Sequence, residues 1–111
     1  MDKVSIYRKY IKDLIKKHSY KSAYGNVEIQ NIFDTENEHY QLVHAGWFND
    51  TREYGCIIHV DIKDGKIWIQ QDGTESGVAD ELVEAGVPKE DIVLAYQPPY
   101  KRAYSGFAIG S

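Results

Sequence analysis

The sequence predicts an α+β fold: an antiparallel meander sheet of four strands, or slightly more, packed by an N-terminal amphipathic helix, with a second short helix near 76–85. Three observations carry this. Apolar residues repeat at helical spacing over 3–18, the period switches to two beyond Gly25, and Asp64-Gly65 sits between two alternating runs as a hairpin turn. The 111 residues read as one domain, 1–111. A chain of that length buries roughly 65% of its unfolded surface, enough for a core without staples.

The first helix is set by Val4, Tyr7, Ile11 and Leu14, with Ile15 widening the stripe. Asp2 is the expected N-cap, and Lys9–Asp13 and Asp13–Lys17 are i,i+4 pairs. Val27, Ile29 and Phe33 then alternate with polar residues. After the polar turn 35–38, the run 39–47 puts Tyr40 and Leu42 on one face and Val43, Ala45 and Trp47 on the other. A second turn follows. In 53–63, Tyr54, Cys56, Ile58, Val60 and Ile62 point one way, and Ile57, His59, Asp61 and Lys63 the other. A two-residue Asp64-Gly65 loop sets Lys63 opposite Lys66, Ile62 opposite Ile67, Asp61 opposite Trp68, Val60 opposite Ile69 and His59 opposite Gln70. Trp68 then lies on the polar face beside Asp61, where something should cover it. Self-association, as a dimer, is expected from this.

The second helix has Thr74 or Ser76 as N-cap and a stripe of Val78, Leu82 and Ala85. It closes at Gly86, where Val87 packs back and Pro88 forbids continuation. Its acidic residues read as a solvated outer face. Residues 88–91 suggest one helical turn and 92–96 a buried strand or short core segment ended by Pro98-Pro99. The tail from Tyr100 has little periodicity.

Apolar residues at 42% and charged residues at 27% are ordinary for a soluble protein. The N-terminus lacks a signal-peptide pattern and no apolar run approaches a membrane span, so a cytoplasmic protein without membrane association is expected. Net charge is −4, unevenly spread: residues 1–21 carry seven Lys/Arg against two Asp, and residues 71–95 carry seven Asp/Glu against Lys89. That balance disfavours unaided DNA binding, which rests on neutralising phosphates, but leaves contact through the basic helix or inside a complex.

No constellation reaches a catalytic, cofactor or metal site. Asp61-Ile62-Lys63 has the spacing of metal-dependent nucleases but no second carboxylate opposite it. His59 and Asp61 share a face, yet two ligands make a weak metal site. The glycines at 73–77 are followed by no lysine, and Asp72 and Glu75 would repel phosphate. Cys56 stands alone and reads as a small strand hydrophobe. The candidate partner interface is Trp47, Trp68, Asp61, His59, Tyr100 and Arg102, since indole and phenol rings anchor interfaces. The candidate nucleic-acid contacts are Arg8, Lys9, Lys12, Lys16 and Lys101.

The stretches Tyr40-Gln41-Leu42-Val43, Tyr54 through Glu75, Gly86 through Leu94 and Pro99-Tyr100-Lys101-Arg102 resemble the XisI family, controlling factors for excision of the fdxN DNA element known mainly from cyanobacteria. The resemblance spans nearly the whole chain and is weakest in the N-terminal helix. It implies a small α+β, non-catalytic regulatory protein acting with XisH, a nuclease-like partner, to control site-specific DNA recombination. It carries no catalytic residues. The alternative is a DNA-binding accessory factor that uses the basic N-terminal helix.

Overall fold

The computed structural model describes residues 2–22 and 24–110. Helix α1 (Lys3–Ser22) leads into β1 (Asn26–Asp34), β2 (His39–Phe48), β3 (Thr51–Lys63) and β4 (Lys66–Asp72). Then come α2 (Val78–Ala85), a 3₁₀ turn (Lys89–Asp91), β5 (Ile92–Leu94) and α3 (Pro99–Arg102). The α+β expectation holds. The sheet has five strands in the order β1-β2-β3-β4-β5, antiparallel except for the β4–β5 pair, which is parallel because α2 carries the chain back across. Among the described residues, no helix is long and apolar enough to cross a membrane.

Helix α1 forms where the stripe predicts, four residues longer, and Asp2 Oδ1 accepts the Ser5 N–H at 2.8 Å as its cap. Its apolar stripe of Tyr7, Ile11, Leu14 and Ile15 is buried against Tyr40, Leu42, Ile58, Val60, Ile67 and Ile69 of the sheet and Leu82 of α2. Opposed residues share a face, so one row across the sheet, Phe33–Tyr40–Val60–Ile69–Leu94, lies under the helices. The next, Asp34–His39–Asp61–Trp68–Val93, lies on the far side.

Both hairpin turns at the ends of β3 are of the mirror-image type. Asn49 and Asp50 have φ of 48° and 66°, and Asp64 and Gly65 have 55° and 74°, matching the right-handed twist of the flanking strands. Four of the five predicted β3–β4 pairs are present. The fifth slips: His59 faces Gln71, because Gln70 is an extra residue in a bulge.

A second bulge corrects the reading of β3. Leu42 faces Ile58 but Val43 faces Cys56, leaving Ile57 as the extra residue. Below it the alternation inverts. Ile57 packs against the core, while Cys56 and Tyr54 turn to the face opposite Ile58. Cys56 is half-buried there, and desolvation pushes its thiol pKa up.

Helix α2 begins later than its predicted cap, and neither Thr74 nor Ser76 is the N-cap. Asp72 does the capping from the end of β4, its Oδ2 accepting the Val78 N–H at 2.8 Å, while Thr74 Oγ1 accepts the Gly77 N–H at 3.0 Å. At the other end, Gly86 is left-handed and Val87, buried, donates its N–H to the Leu82 carbonyl at 3.0 Å, as predicted. The acidic face is only partly solvated. Glu81 turns inward to Lys17 at 2.7 Å, His18 at 2.6 Å and Ser76 at 2.9 Å. Lys17 is therefore spent on α2 rather than on Asp13, whereas the Lys9–Asp13 pair forms at 3.2 Å.

The basic, aromatic tail has two readings from its residues, a strap whose tyrosines pack on the sheet or a contact for a partner or nucleic acid; it is a strap, but Tyr100 and Tyr104 stand exposed. From α3 it folds back as a strap over Trp68, and Ala108 donates its N–H to the Ile92 carbonyl at 2.8 Å. A Cβ on Gly110 would lie 2.8 Å from both Trp68 Cη2 and the Val93 side chain, so the backbone itself rests on the indole.

Candidate functional site

The sheet presents two unlike faces, and the functional candidates divide between the uncovered one, the outside of α1 and the strap. On the uncovered face, beyond Trp68, register sets three rows: Ile32–Gln41–His59–Gln71, then Gln30–Val43–Cys56, then Glu28–Ala45–Tyr54. Trp47 and Arg52 close the far end, with the guanidinium 5.7 Å from both the Trp47 and Tyr54 ring centres. Trp47 is 55% exposed and Tyr54 70%, and Ile32 is also exposed, nearer the other end of β1 on the same face. This is a mixed polar and apolar surface, with exposed aromatic rings and a guanidinium at its far end.

At the β2–β4 end of the same face lies a polar cluster. Asp61 Oδ1 lies 2.7 Å from His39 Nδ1 and 2.9 Å from His59 Nε2. Gln70 Nε2 donates to Asp61 Oδ2 at 3.2 Å, and the Gln41 amide lies 3.4 Å from His59 Nδ1. The hydrogen bond to Asp61 and its charge raise the His39 pKa above the ordinary value. Sequence spacing finds His59 and Asp61 but misses His39. A strict two-residue hairpin at Asn49-Asp50 would set His39 opposite Val60; the extra residue Ile57 shifts it by one, opposite Asp61. Nothing in the residue pattern marks that bulge.

Trp68 does not belong to the open surface. It is 9% exposed, its Nε1–H donates to the Lys63 carbonyl at 3.1 Å, and Ala108, Ile109 and Gly110 close over it. The cover demanded by its place on the polar face is the protein's own tail, which removes the original ground for self-association. Arg102 is likewise spent inside the molecule. It donates to the carbonyls of Gln97 at 2.8 Å, Ala95 at 3.2 Å and Ile109 at 3.4 Å, and lies 5.8 Å from the Trp68 ring. Tyr100 and Lys101 are exposed.

The basic helix is less free than its sequence suggests. Arg8 pairs with Glu38, and its Nε–H also donates to Tyr40 Oη at 3.2 Å, while Tyr40 donates to Glu38 at 2.5 Å. Burial, reinforced by the Glu38 carboxylate, pushes the Tyr40 hydroxyl up to about 12. Lys3 and Tyr7 converge on Asp91 at 3.2 and 2.5 Å. Lys12 lies 5.9 Å from the Phe33 ring centre. Lys9 and Lys16 are exposed, Lys9 with its Asp13 partner.

Comparison with known proteins fits this architecture. A family model described as XisI protein matches residues 1–109. The crystal structure of a XisI-like protein from Anabaena variabilis ATCC 29413 superposes with a TM-score of 0.89 at 46% identity, covering 96% of this chain and 98% of that one. The crystal structure of the fdxN element excision controlling factor XisI from the same organism superposes at 0.85 with 34% identity, covering 98% of this chain and all of that one. No curated protein matches.

Proposed function

The chain belongs to the XisI family, and from that premise we propose that it is an excision controlling factor, a non-catalytic regulator that docks on a nuclease-like XisH partner. The observation that carries the docking surface is the uncovered sheet face. The helices bury one side of a five-stranded sheet, while Trp47, Tyr54 and Ile32 stand exposed on the other. Aromatic anchors ringed by polar groups are where interface energy concentrates. The expected homodimer rests on this same face in the absence of the partner, since Trp68 no longer supports it.

Co-expression of the two proteins and size-exclusion chromatography tests the reading. The expected result is co-elution, weakened at least about tenfold in affinity by Trp47→Ala with Tyr54→Ala, on the scale of two interface anchors. Separate elution of the unmodified proteins would sink it.

A second reading, a direct DNA contact, keeps Lys9, Lys12, Lys16 and Lys101 but loses Arg8, which Glu38 and Tyr40 hold. It gains weight only inside a complex, because the net charge of −4 opposes solitary binding.

A further inference from the structure

We propose that His39, His59 and Asp61 form a three-ligand site for a divalent d-block cation of the zinc class, independent of the docking role proposed above. One ligand atom from each residue lies within 4.8 Å of the other two, and imidazole nitrogen with carboxylate oxygen is the donor set such ions select. His39 and Asp61 are paired across β2 and β3 and His59 stands two residues before Asp61 on the same face, so the backbone holds all three against a sheet rather than on a loop.

The geometry is near what an ion needs. Both histidine nitrogens point at the same carboxylate oxygen, at 2.7 and 2.9 Å. Tetrahedral zinc, with bonds of about 2.0–2.1 Å, spaces its ligand atoms about 3.3 Å apart. Opening each contact by about half an ångström admits the ion.

Two further observations favour a cation here. The Asp61 side chain is only 17% exposed, yet no Lys or Arg among the described residues pairs with it; the side chains that meet its carboxylate are the two histidines and Gln70. Supporting groups also stand behind two of the three ligands. The Gln41 amide meets His59 at the nitrogen that would not ligate, and Gln70 donates to the Asp61 oxygen that faces away from both rings. Neutral outer groups of this kind fix ligand orientation without cancelling the charge that attracts the metal; at His59 the Gln41 amide would turn its oxygen to accept from the Nδ1–H that a metal-ligating imidazole carries. With His39 largely exposed, a fourth position stays open to water or to an incoming side chain.

The test is calorimetric titration of the untagged full chain with zinc chloride near neutral pH, together with thermal melts. One equivalent should bind and raise Tm, while magnesium, which prefers oxygen ligands, should leave Tm unchanged. H39Q, H59Q and D61N should each weaken zinc binding by more than about tenfold, and Gln41→Ala by about tenfold. His44→Gln should bind as the parent does, since His44 pairs with Ile29 and Gly55 away from the cluster. H39Q keeps the test open if D61N fails to fold, because His39 is exposed. Absence of zinc binding, or undiminished binding in both H39Q and H59Q, would overturn the assignment.

Discussion

The two faces of the sheet are made from the same five strands and the same alternation, yet they have opposite fates. The face under α1 and α2 carries Leu42, Ile58, Val60 and Ile69 in one continuous core. The other carries one short covered patch, Trp68 and Val93 beneath the strap, and then runs open through Gln41 and His59 to Tyr54 and Trp47. The difference lies in what the chain has left to cover it. A 20-residue helix roofs the first face, whereas the second receives only the strap that follows a four-residue helix. What remains bare on a sheet is where chemistry and partners have room.

The two tryptophans give the sharpest way to break that contrast. Both lie on the second face, Trp68 under the strap and Trp47 in the open. Trp68→Ala should cost about 3–5 kcal/mol, since it empties a packed site and frees Arg102, Ala108 and Gly110 from their contact. Trp47→Ala should change stability by less than about 0.5 kcal/mol. Urea unfolding followed by circular dichroism measures both. Equal losses would mean that the strap does not cover what it touches.

Next in size is the ionic join between α1 and α2. Desolvation raises the Glu81 pKa, but hydrogen bonds from Lys17, His18 and Ser76 outweigh it and hold the carboxyl down at about 2. The folded value lies below the unfolded one, so the stabilisation is complete above about pH 4.5 and is lost as pH falls towards 2. Glu81→Gln should cost about 1–2 kcal/mol at neutral pH and should flatten the stability curve between those limits. Thermal melts from pH 6 down to about pH 2 record the slope; an unchanged slope would place the acid sensitivity elsewhere.

This join shows how far the residue pattern reaches. Helix α1, the Asp64-Gly65 turn and the Gly86 stop were legible because each obeys a local rule of spacing or dihedral preference. The acidic run of α2 was read as solvated because its partners, Lys17 and His18, lie more than 60 residues away in sequence. Register was legible up to the first bulge and no further. Ile57 and Gln70 each insert one residue, and a shift of one reverses which face a side chain meets. That single step sends Cys56 and Tyr54 outward and brings His39 beside Asp61. The strap over Trp68 was illegible for another reason. Arg102 anchors it through three backbone carbonyls, a pattern that no periodicity announces.

The smallest effect should come from Ile32, which lies mid-strand in β1 on the open face and is 44% exposed. An isoleucine out of phase with Val27, Ile29 and Phe33 should, if this face is bare, behave as a surface residue. Truncation removes apolar area that water already wets, and no filled cavity is opened behind it. Ile32→Ala should therefore shift stability by less than about 0.5 kcal/mol in the monomer at low protein concentration. If two copies close this face at high concentration, as proposed, the same substitution should lower the concentration dependence of Tm. Differential scanning fluorimetry over a hundredfold range of protein separates the two regimes. A loss of about 2 kcal/mol or more at the dilute end would mean that the monomer itself buries Ile32, and that the contrast between the faces is smaller than drawn.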